Sequence, residues 1–290
     1  MVSQLAPAAA TDVSTPIDLG NVPTRARRRR RTGTYILRSI AVGYVGVLVL
    51  VPLAVVLWRT IQQGLGTFWE TIVDPAAVHA ILLTGVVAGI AVLLNVVFGI
   101  GMALLLARYR FPGRRLLNIL IDLPLAVSPI VVGLALILVY GQEGGWLGGL
   151  GVQIIYSIPG MVLATVFVSL PLVVRALVPV LEEEGLDQEL AARSLGANAR
   201  QCFRRITLPT IKWALAYGVV LSLARAIGEF GAVKVVSGNV IGQTQTVTLL
   251  VDERAEQFEP GAYQASILLI AVTVICIIGV SLIRPPEGRS

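Results

Sequence analysis

Two oppositely charged residues, Arg225 and Glu229, lie four positions apart near the end of a long apolar run. On a helix this spacing brings both side chains onto one face, where they can form an ion pair. Ionisable groups in an apolar environment are costly, and they usually face a cavity or a partner. The pair is therefore either a self-neutralised contact that fixes helix packing or part of a gate or path for an anion. The sequence leaves both interpretations open.

The residue types that covalent chemistry needs are scarce in this chain. His79 is the only histidine and has no suitable nucleophile beside it. The two cysteines, Cys202 and Cys276, fall in different segments, so neither a metal site nor a disulfide is expected. A P-loop needs a lysine after a glycine, and neither Lys212 nor Lys234 follows one. We therefore predict no catalytic residue, no metal site and no nucleotide or other cofactor bound by this chain.

A second candidate site is the charged segment Glu189–Pro209, which lies between two apolar runs. Four apolar positions recur in it at spacings of three and four and predict one apolar helical face: Leu195, Ala199, Cys202/Phe203 and Ile206. Gly196 predicts a break between two short helices and a close approach by a partner. Pro209 suits the first turn of the next helix. The segment is either a docking helix for a soluble subunit or a solvated helix that packs only on its own protein.

The elements that must position these residues are membrane helices. Charged residues make up 14% of the chain, against about 25% in soluble domains, and the mean hydropathy is +0.81. A helix needs about 20 apolar residues to cross a bilayer, and six runs reach that length: Tyr35–Trp58, Ala80–Ala107, Leu116–Tyr140, Ile158–Val180, Ile211–Ala232 and Gln264–Ile283. They predict an all-α integral membrane protein with six transmembrane helices. Buried helices of a large soluble protein are disfavoured, because no amphipathic helices remain to cover them.

Few polar or helix-breaking residues interrupt these runs. The ionisable ones are Arg38, Asp122, Arg175, Lys212, Arg225 and Glu229. Arg175 lies near the end of its run, from which its long side chain can reach the polar edge. Four prolines are expected to bend or break their helices: Pro124, Pro129, Pro171 and Pro179.

The distribution of basic residues predicts the orientation, because short cytoplasmic loops collect Lys and Arg. Of the 23 such residues, 17 fall in the N-terminal tail, the loop 108–115, the segment 181–212 and the C-terminal tail. Only Arg59, Lys234 and Arg254 fall in the loops of the other side. We expect both termini and the segment 182–209 in the cytoplasm of a multi-pass membrane protein.

The N-terminal tail, residues 1–34, is expected to be a disordered, basic cytoplasmic extension. Its run Arg27–Arg31 is interpreted as a topology anchor beside the first span rather than a nucleic-acid site. It is not interpreted as a cleaved signal peptide, since the apolar run that follows is too long and lacks a cleavage site. The transmembrane domain is predicted over 35–283, and residues 284–290 form a second cytoplasmic tail.

The segment Glu189–Pro209 resembles the signature Glu-Ala-Ala-x3-Gly-x9-Ile-x-Leu-Pro of ABC importer permeases. The matching residues are Ala191, Ala192, Gly196, Ile206, Leu208 and Pro209. One departure is that Leu190 stands at the signature's Glu position, with Glu189 one residue earlier, a rotation of about 100° on a helix. The resemblance implies the type I ABC importer permease fold, and it implies that these residues and Glu189 couple the chain to an ATPase.

The stretch Arg225–Ala232 is similar to oxyanion importer permeases, those for sulfate and molybdate. Three further stretches resemble more closely the CysW-type group of sulfate/thiosulfate importers: Asp122–Pro129, Val236–Asn239 and Gln245–Val251. The similarity covers about 80–283. It implies a bacterial cell-membrane permease that works with a CysT-type sister permease, two ATPase subunits that use ATP and Mg, and an extracytoplasmic sulfate-binding protein.

Three alternatives remain beside a sulfate/thiosulfate permease. The same machine could carry molybdate or tungstate, since much of the affinity belongs to the binding protein. A secondary transporter or channel without an ATPase would need intramembrane carboxylates, for which only Asp122 and Glu229 qualify. An integral membrane enzyme is disfavoured, because the spans hold no cluster of His, Cys and carboxylates.

Overall fold

The computed structural model describes residues 25–142, 145–147, 153–259 and 261–283. The chain divides into two units, Met1–Ala54 and Val55–Ser290. In the first unit the described residues form the beginning of helix α1, Arg25–Gln63. Residues 25–34 of the predicted tail are therefore helical, whereas residues 1–24 and the C-terminal tail 284–290 lie outside the described part.

The second unit contains the end of α1 and a series of further helices. In chain order these are α2 (Leu65–Val73), α3 (Pro75–Arg108), α4 (Arg114–Ala126), α5 (Pro129–Tyr140), α6 (Ile158–Glu184), α7 (Asp187–Ser194), α8 (Ala199–Cys202), a π-helical turn (Phe203–Thr207), α9 (Leu208–Ile227), α10 (Gly231–Ser237), α11 (Val247–Glu256) and α12 (Gly261–Ile283). The local sequence determines where α3 begins. Asp74 caps the helix by accepting a hydrogen bond from the Ala76 N–H, and Pro75 fits the first turn.

Helix α6 is the central element and packs most extensively on α3 and α9. Its first half contributes to an apolar cluster with α3, α10 and α11, which includes Met161, Val168 and Val233. Its second half contributes to another cluster with α3, α4 and α9, which includes Leu177 and Ile211. The two clusters fix both ends of α6 between its neighbours.

A polar layer separates these clusters where α3, α6 and α9 meet. Asn95 Nδ2 donates to Ser169 Oγ at 2.7 Å and to Ser222 Oγ at 3.2 Å, and all three side chains are fully buried. Nearby, a Cβ on Gly99 would lie 2.7 Å from Val173 Cγ1, so only glycine allows α3 to approach α6 this closely. Small residues and interhelical hydrogen bonds of this kind hold membrane helices together.

The third predicted span, Leu116–Tyr140, is not one straight helix. It consists of α4 and α5, which meet at an angle of 113°. The break has a local cause: Ser128 is extended (ψ 132°), as a residue before proline prefers, and Pro129 begins α5. Pro171 and Pro179, by contrast, lie inside α6 without ending it.

The fifth predicted span, Ile211–Ala232, is also interrupted. Helix α9 ends at Ile227, and α10 begins only at Gly231. Within the described residues, four helices are long and apolar enough to cross a bilayer, or five if the bent pair α4–α5 counts as one span. In α12 the stretch Gly261–Ile275 is apolar. The six-span prediction thus stays a prediction, while the all-α fold class is confirmed over the described residues.

Candidate functional site

The segment Glu189–Pro209 folds as two short helices with a turn between them. Helix α7 ends at Ser194, and Gly196 takes a left-handed conformation (φ +86°) that favours glycine. Asn198 then caps α8: its side chain accepts from the Gln201 N–H at 2.9 Å, and the Gln201 side chain accepts from the Asn198 N–H at 2.8 Å. The break predicted at Gly196 is confirmed.

Glu189 faces the interior of its own chain, where it is only 9% exposed. Its Oε1 lies 3.0 Å from Arg108 Nη2 at the end of α3, and it accepts a hydrogen bond from Thr207 Oγ1 at 2.9 Å. Arg108 also donates to the Gly185 carbonyl, which ends α6. The Glu189 carboxylate therefore joins α7 to α3 and to the turn that begins α9, and Arg108 in turn joins α3 to the end of α6.

The opposite side of α7 is exposed. Leu190, at the position where the signature has Glu, is 55% exposed, and Leu195 is 90% exposed. The prediction that Leu195 shares an apolar face with Cys202 is wrong, because the left-handed turn at Gly196 separates the two helices, and only Cys202 is buried. Leu186, Leu190 and Leu195 instead present apolar surface outward.

The remaining residues that the sequence predicts to couple the chain to an ATPase are divided between the two sides of the segment. Ala192, Ile206 and Leu208 are half-buried, whereas Ala191 and Pro209 are exposed. Beneath the segment, a cavity of about 260 Å³ lies between the end of α3 and helices α7 and α8. Arg193 and Phe203 contribute to its wall.

Arg225 and Glu229 form the ion pair that their spacing predicts. Arg225 Nη1 lies 2.6 Å from Glu229 Oε2, although the contact lacks the alignment of a hydrogen bond. The Glu229 side chain is 2% exposed, and that of Arg225 is 37% exposed. Glu229 lies beyond the end of α9, and its Oε1 accepts from the Ala232 N–H at 3.1 Å in the first turn of α10. The carboxylate therefore serves two partners, and the guanidinium keeps an accessible side.

Hydrogen bonds fix the segment around Glu229 to α11 and α3. Thr248 Oγ1 donates to the Glu229 carbonyl at 2.9 Å, and the Val247 N–H donates to Thr84 Oγ1 at 3.0 Å. These contacts join residues far apart in sequence, which the spacing of Arg225 and Glu229 alone does not reveal.

Further ion pairs surround α11. Lys234 Nζ lies 2.6 Å from Asp252 Oδ2, and this hydrogen bond raises the pKa of Lys234. Arg254 pairs with Asp74 and lies 3.9 Å from Glu259. The sequence places Lys234 and Arg254 in loops but does not reveal their partners.

Arg175 has a specific partner that sequence analysis missed. Its guanidinium makes two hydrogen bonds to the Asp122 carboxylate and donates to Asn118 Oδ1 at 3.0 Å. Asp122 and Asn118 are more than 50 positions from Arg175, so no local sequence pattern predicts these contacts. Arg175 thus connects α6 to α4. The sequence predicted only that its side chain reaches the polar edge, whereas in the structure it is paired with Asp122.

The structure does not bring the two candidate sites together. The predicted coupling segment, Glu189–Pro209, leads into the first turn of α9, whereas Arg225 lies in the last turn of α9. At 1.5 Å per residue, the 20-residue α9 is about 30 Å long, close to the thickness of a bilayer core. The two sites therefore occupy opposite ends of the same helix.

A chain of apolar helices with a polar segment between two of them is also found in a known family of membrane proteins. Residues 95–285 match the family described as "Binding-protein-dependent transport system inner membrane component". The chain belongs to this family, and it is therefore a multi-pass membrane component of a transport system. Because its named relatives are transport permease subunits, it is a non-catalytic subunit rather than an enzyme.

Two curated relatives are called sulfate transport system permease protein CysW. The chain is 45% identical to the one from Synechococcus elongatus over 258 residues, which is 87% of this chain and 90% of the relative. It is 46% identical to the one from Escherichia coli K12, over 84% of this chain and 85% of the relative. The Escherichia coli protein CysT of the same system is 37% identical, over 85% and 90%.

Solved structures support the fold. A chain of a bacterial ABC transporter involved in the import of the acidic polysaccharide alginate gives a TM-score of 0.74, with 91% of this chain and 99% of that chain covered. A chain of the bacterial alginate ABC transporter in complex with an alginate pentasaccharide-bound periplasmic protein gives a TM-score of 0.72. At 16% identity these likenesses establish the fold and carry no information on cargo.

Proposed function

We propose that this chain is the transmembrane permease subunit of an ATP-driven importer of sulfate and thiosulfate. The observation that carries the proposal is the 45–46% identity to two sulfate transport permeases over more than four fifths of the chain. At that level a shared fold, shared segment geometry and a shared path are the simplest explanation.

The chain works in this proposal with a sister permease, two ATPase subunits and an extracytoplasmic binding protein. The likeness to both CysW and CysT of one system supports a pair of related permeases. The solved complex with a periplasmic protein supports a binding protein as the donor of cargo. ATP and Mg are used by the ATPase subunits, and this chain binds no cofactor.

Six membrane spans place both termini in the cytoplasm of a bacterial cell. The predicted spans are α1, α3, the bent pair α4–α5, α6, the helix that ends at Ile227, and α12. The arginine asymmetry supports this orientation, since the loop 108–115 and the segment Glu189–Pro209 are both rich in arginine.

The geometry of the coupling segment suggests how motion is transmitted. The outward leucines of α7 and the turn at Gly196 offer surface to the ATPase, while Glu189 holds the segment to Arg108 and Thr207. Movement of α7 therefore pulls on α3 and on the start of α9. Alternating access follows if these helices rock between two arrangements when the ATPases close on ATP.

Reconstitution tests this proposal. The chain is placed in proteoliposomes with the sister permease, the ATPase and the sulfate-binding protein, and uptake of radioactive sulfate is measured. We expect uptake that needs ATP and the binding protein, and that stops when the P-loop lysine of the ATPase is replaced. Molybdate serves as the matched cargo control. Sulfate uptake without the ATPase would instead assign the chain to secondary transport, and uptake of molybdate alone would change the cargo.

A further inference from the structure

A second polar cavity lies away from both candidate sites, between α4 and the end of α6 that leads into the coupling segment. It is an open cleft of about 470 Å³, which is within the range of small-ligand sites. Its polar lining consists of Arg114, Arg115, Asn118, Arg175 and Glu182. Three guanidinium groups therefore face the same space as one carboxylate.

The charges of the cavity are only partly neutralised. Arg114 Nη2 lies 2.8 Å from Glu182 Oε1, so these two form a pair. Arg175 is paired with Asp122, which is not one of the residues that line the cavity. Arg115 has no hydrogen bond or ion pair to any other described residue, and it remains a free cation at the mouth. Among the charged residues that line the cavity, Arg115 is thus the one whose charge is not balanced by an ion pair.

The chemistry of this lining selects an anion with several oxygens. Guanidinium groups bind phosphate and sulfate oxygens through paired, charge-assisted hydrogen bonds. Arg114 and Arg115 also stand in the first turn of α4, where the helix macrodipole favours negative charge. A carboxylate-lined or apolar site would show neither feature.

The surface beside the cavity suggests where such an anion comes from. Four large apolar residues of α4 are exposed in succession after Arg115: Leu116, Ile119, Leu120 and Leu123. A phospholipid whose phosphate met Arg115 could lay its acyl chains along this face. Basic pockets at the ends of membrane helices bind anionic head groups in this way.

We propose that this cavity is a binding site for a tetrahedral oxyanion, held by Arg115 with Arg114 and Arg175. The phosphate of an anionic phospholipid supplies the anion in the membrane, and free sulfate is the other source of the same chemistry. The site is separate from Arg225 and from the exposed leucines of α7. It does not depend on sulfate being the cargo.

Binding to the purified full-length chain tests the site. The chain is prepared in a neutral detergent and titrated with dioctanoyl phosphatidylglycerol, with dioctanoyl phosphatidylcholine, or with sodium sulfate against sodium chloride at equal ionic strength. The thermal midpoint reports binding, because a ligand of the folded state raises it. We expect phosphatidylglycerol to raise the midpoint and phosphatidylcholine to leave it unchanged.

Two variants localise the binding. Arg115→Gln removes the free cation at the mouth, and we expect an affinity about tenfold weaker, the usual effect of one lost charge-assisted contact. Arg110→Gln is the matched control, because Arg110 is an exposed arginine just before α4 that does not line the cavity. It should bind like the unaltered chain. Arg115 and Arg110 have no partner among the described residues, so neither change should affect folding.

Each outcome decides the matter. Loss with Arg115→Gln alone supports the site, and the response to phosphatidylglycerol or to sulfate then identifies the source of the anion. Equal loss in both variants means diffuse surface charge and overturns the site, as does an equal response to phosphatidylcholine or no response to any probe. Because the measurement needs no transport, its failure leaves the proposed function intact, and a failed uptake assay leaves the site intact.

Discussion

At the residue scale, the two candidate sites use buried carboxylates in a similar way. Glu189 and Glu229 each pair with an arginine and also accept a hydrogen bond from a second group, Thr207 Oγ1 or the Ala232 N–H. Both carboxylates are nearly inaccessible to solvent. A buried carboxylate with two partners is a positioning group, so contacts to other subunits or to cargo must come from neighbouring side chains.

The pair Arg225–Glu229 is asymmetric, and the asymmetry gives a prediction. Arg225→Met leaves the Glu229 charge buried and unpaired, and loss of one partner of a buried pair typically costs about 3–5 kcal/mol. We expect this variant to be scarce in the membrane. Adding Glu229→Gln removes the charge but keeps an oxygen for the Ala232 N–H. The double variant should therefore regain abundance, measured by immunoblot of membranes, and sulfate uptake should return with it.

The control and the contrary result of this experiment are both informative. Glu229→Gln alone should be tolerated better than Arg225→Met, because the remaining guanidinium is partly exposed and can be hydrated. If the double variant regains abundance but not uptake, Arg225 belongs to the anion path rather than to helix packing. Unchanged abundance in Arg225→Met would mean that the pair contributes nothing to folding.

Short-range contacts were predictable from the sequence, and long-range ones were not. The pair Arg225–Glu229 is visible because four positions make one helical turn. Arg175–Asp122 and Asn95–Ser222 join residues 53 and 127 positions apart, and nothing in their local sequence specifies the partner. The inward direction of Glu189 was equally invisible, because it depends on Arg108 at the end of another helix.

At the element scale, hydropathy located the helices but not their interruptions. A run such as Leu116–Tyr140 is mostly apolar, and Pro129 predicts a bend or break in it, but its composition contains no information about the 113° angle between α4 and α5. The break at Gly196 was predicted correctly because a glycine between two periodic patterns has a specific backbone reason. The end of α9 at Ile227 was not predicted, because apolar residues resume at Phe230 after only Gly228 and Glu229.

Gly196 lies at the turn of the coupling segment, and its replacement should separate folding from coupling. A Cβ at this position meets no atom of the chain within 4 Å, so the space beside it is open. The left-handed backbone costs an ordinary residue about 1–2 kcal/mol. We expect Gly196→Asp to reach the membrane in near-normal amount, to retain little ATPase on co-purification and to import little sulfate.

Gly113→Asp is the matched control for backbone strain. Gly113 is also left-handed (φ +95°) with open space around its Cβ position, but it lies before α4 and outside the coupling segment. It should show the same small loss of abundance with normal ATPase association. Full uptake and normal ATPase binding in Gly196→Asp would reduce the segment to a connector.

At the scale of the whole molecule, α6 organises the fold from its centre. The longest apolar stretch of α6 is 61% buried, against 33% for α3 and 22% for the helix that ends at Ile227. The apolar clusters at its two halves are separated by the Asn95 layer, whose Oδ1 has no partner among the described residues. A polar layer between two apolar clusters fixes the register of α3, α6 and α9, because sliding by one turn would leave further polar groups unpaired.

The bent pair α4–α5 decides the topology of the whole molecule, and reporter fusions can test it. If the pair crosses the membrane, the loop with Trp146 lies outside while Arg110 and the C-terminus lie inside. Alkaline phosphatase, which is active only outside the cytoplasm, should then be active after Trp146 and silent after Arg110 and after Arg289.

If the pair instead turns back, Arg110 and Trp146 lie on the same side, and both fusions are silent. Because every later segment then changes side, the Arg289 fusion becomes active. Activity after Arg289 together with activity after Trp146 would instead mean that α12 does not cross the membrane.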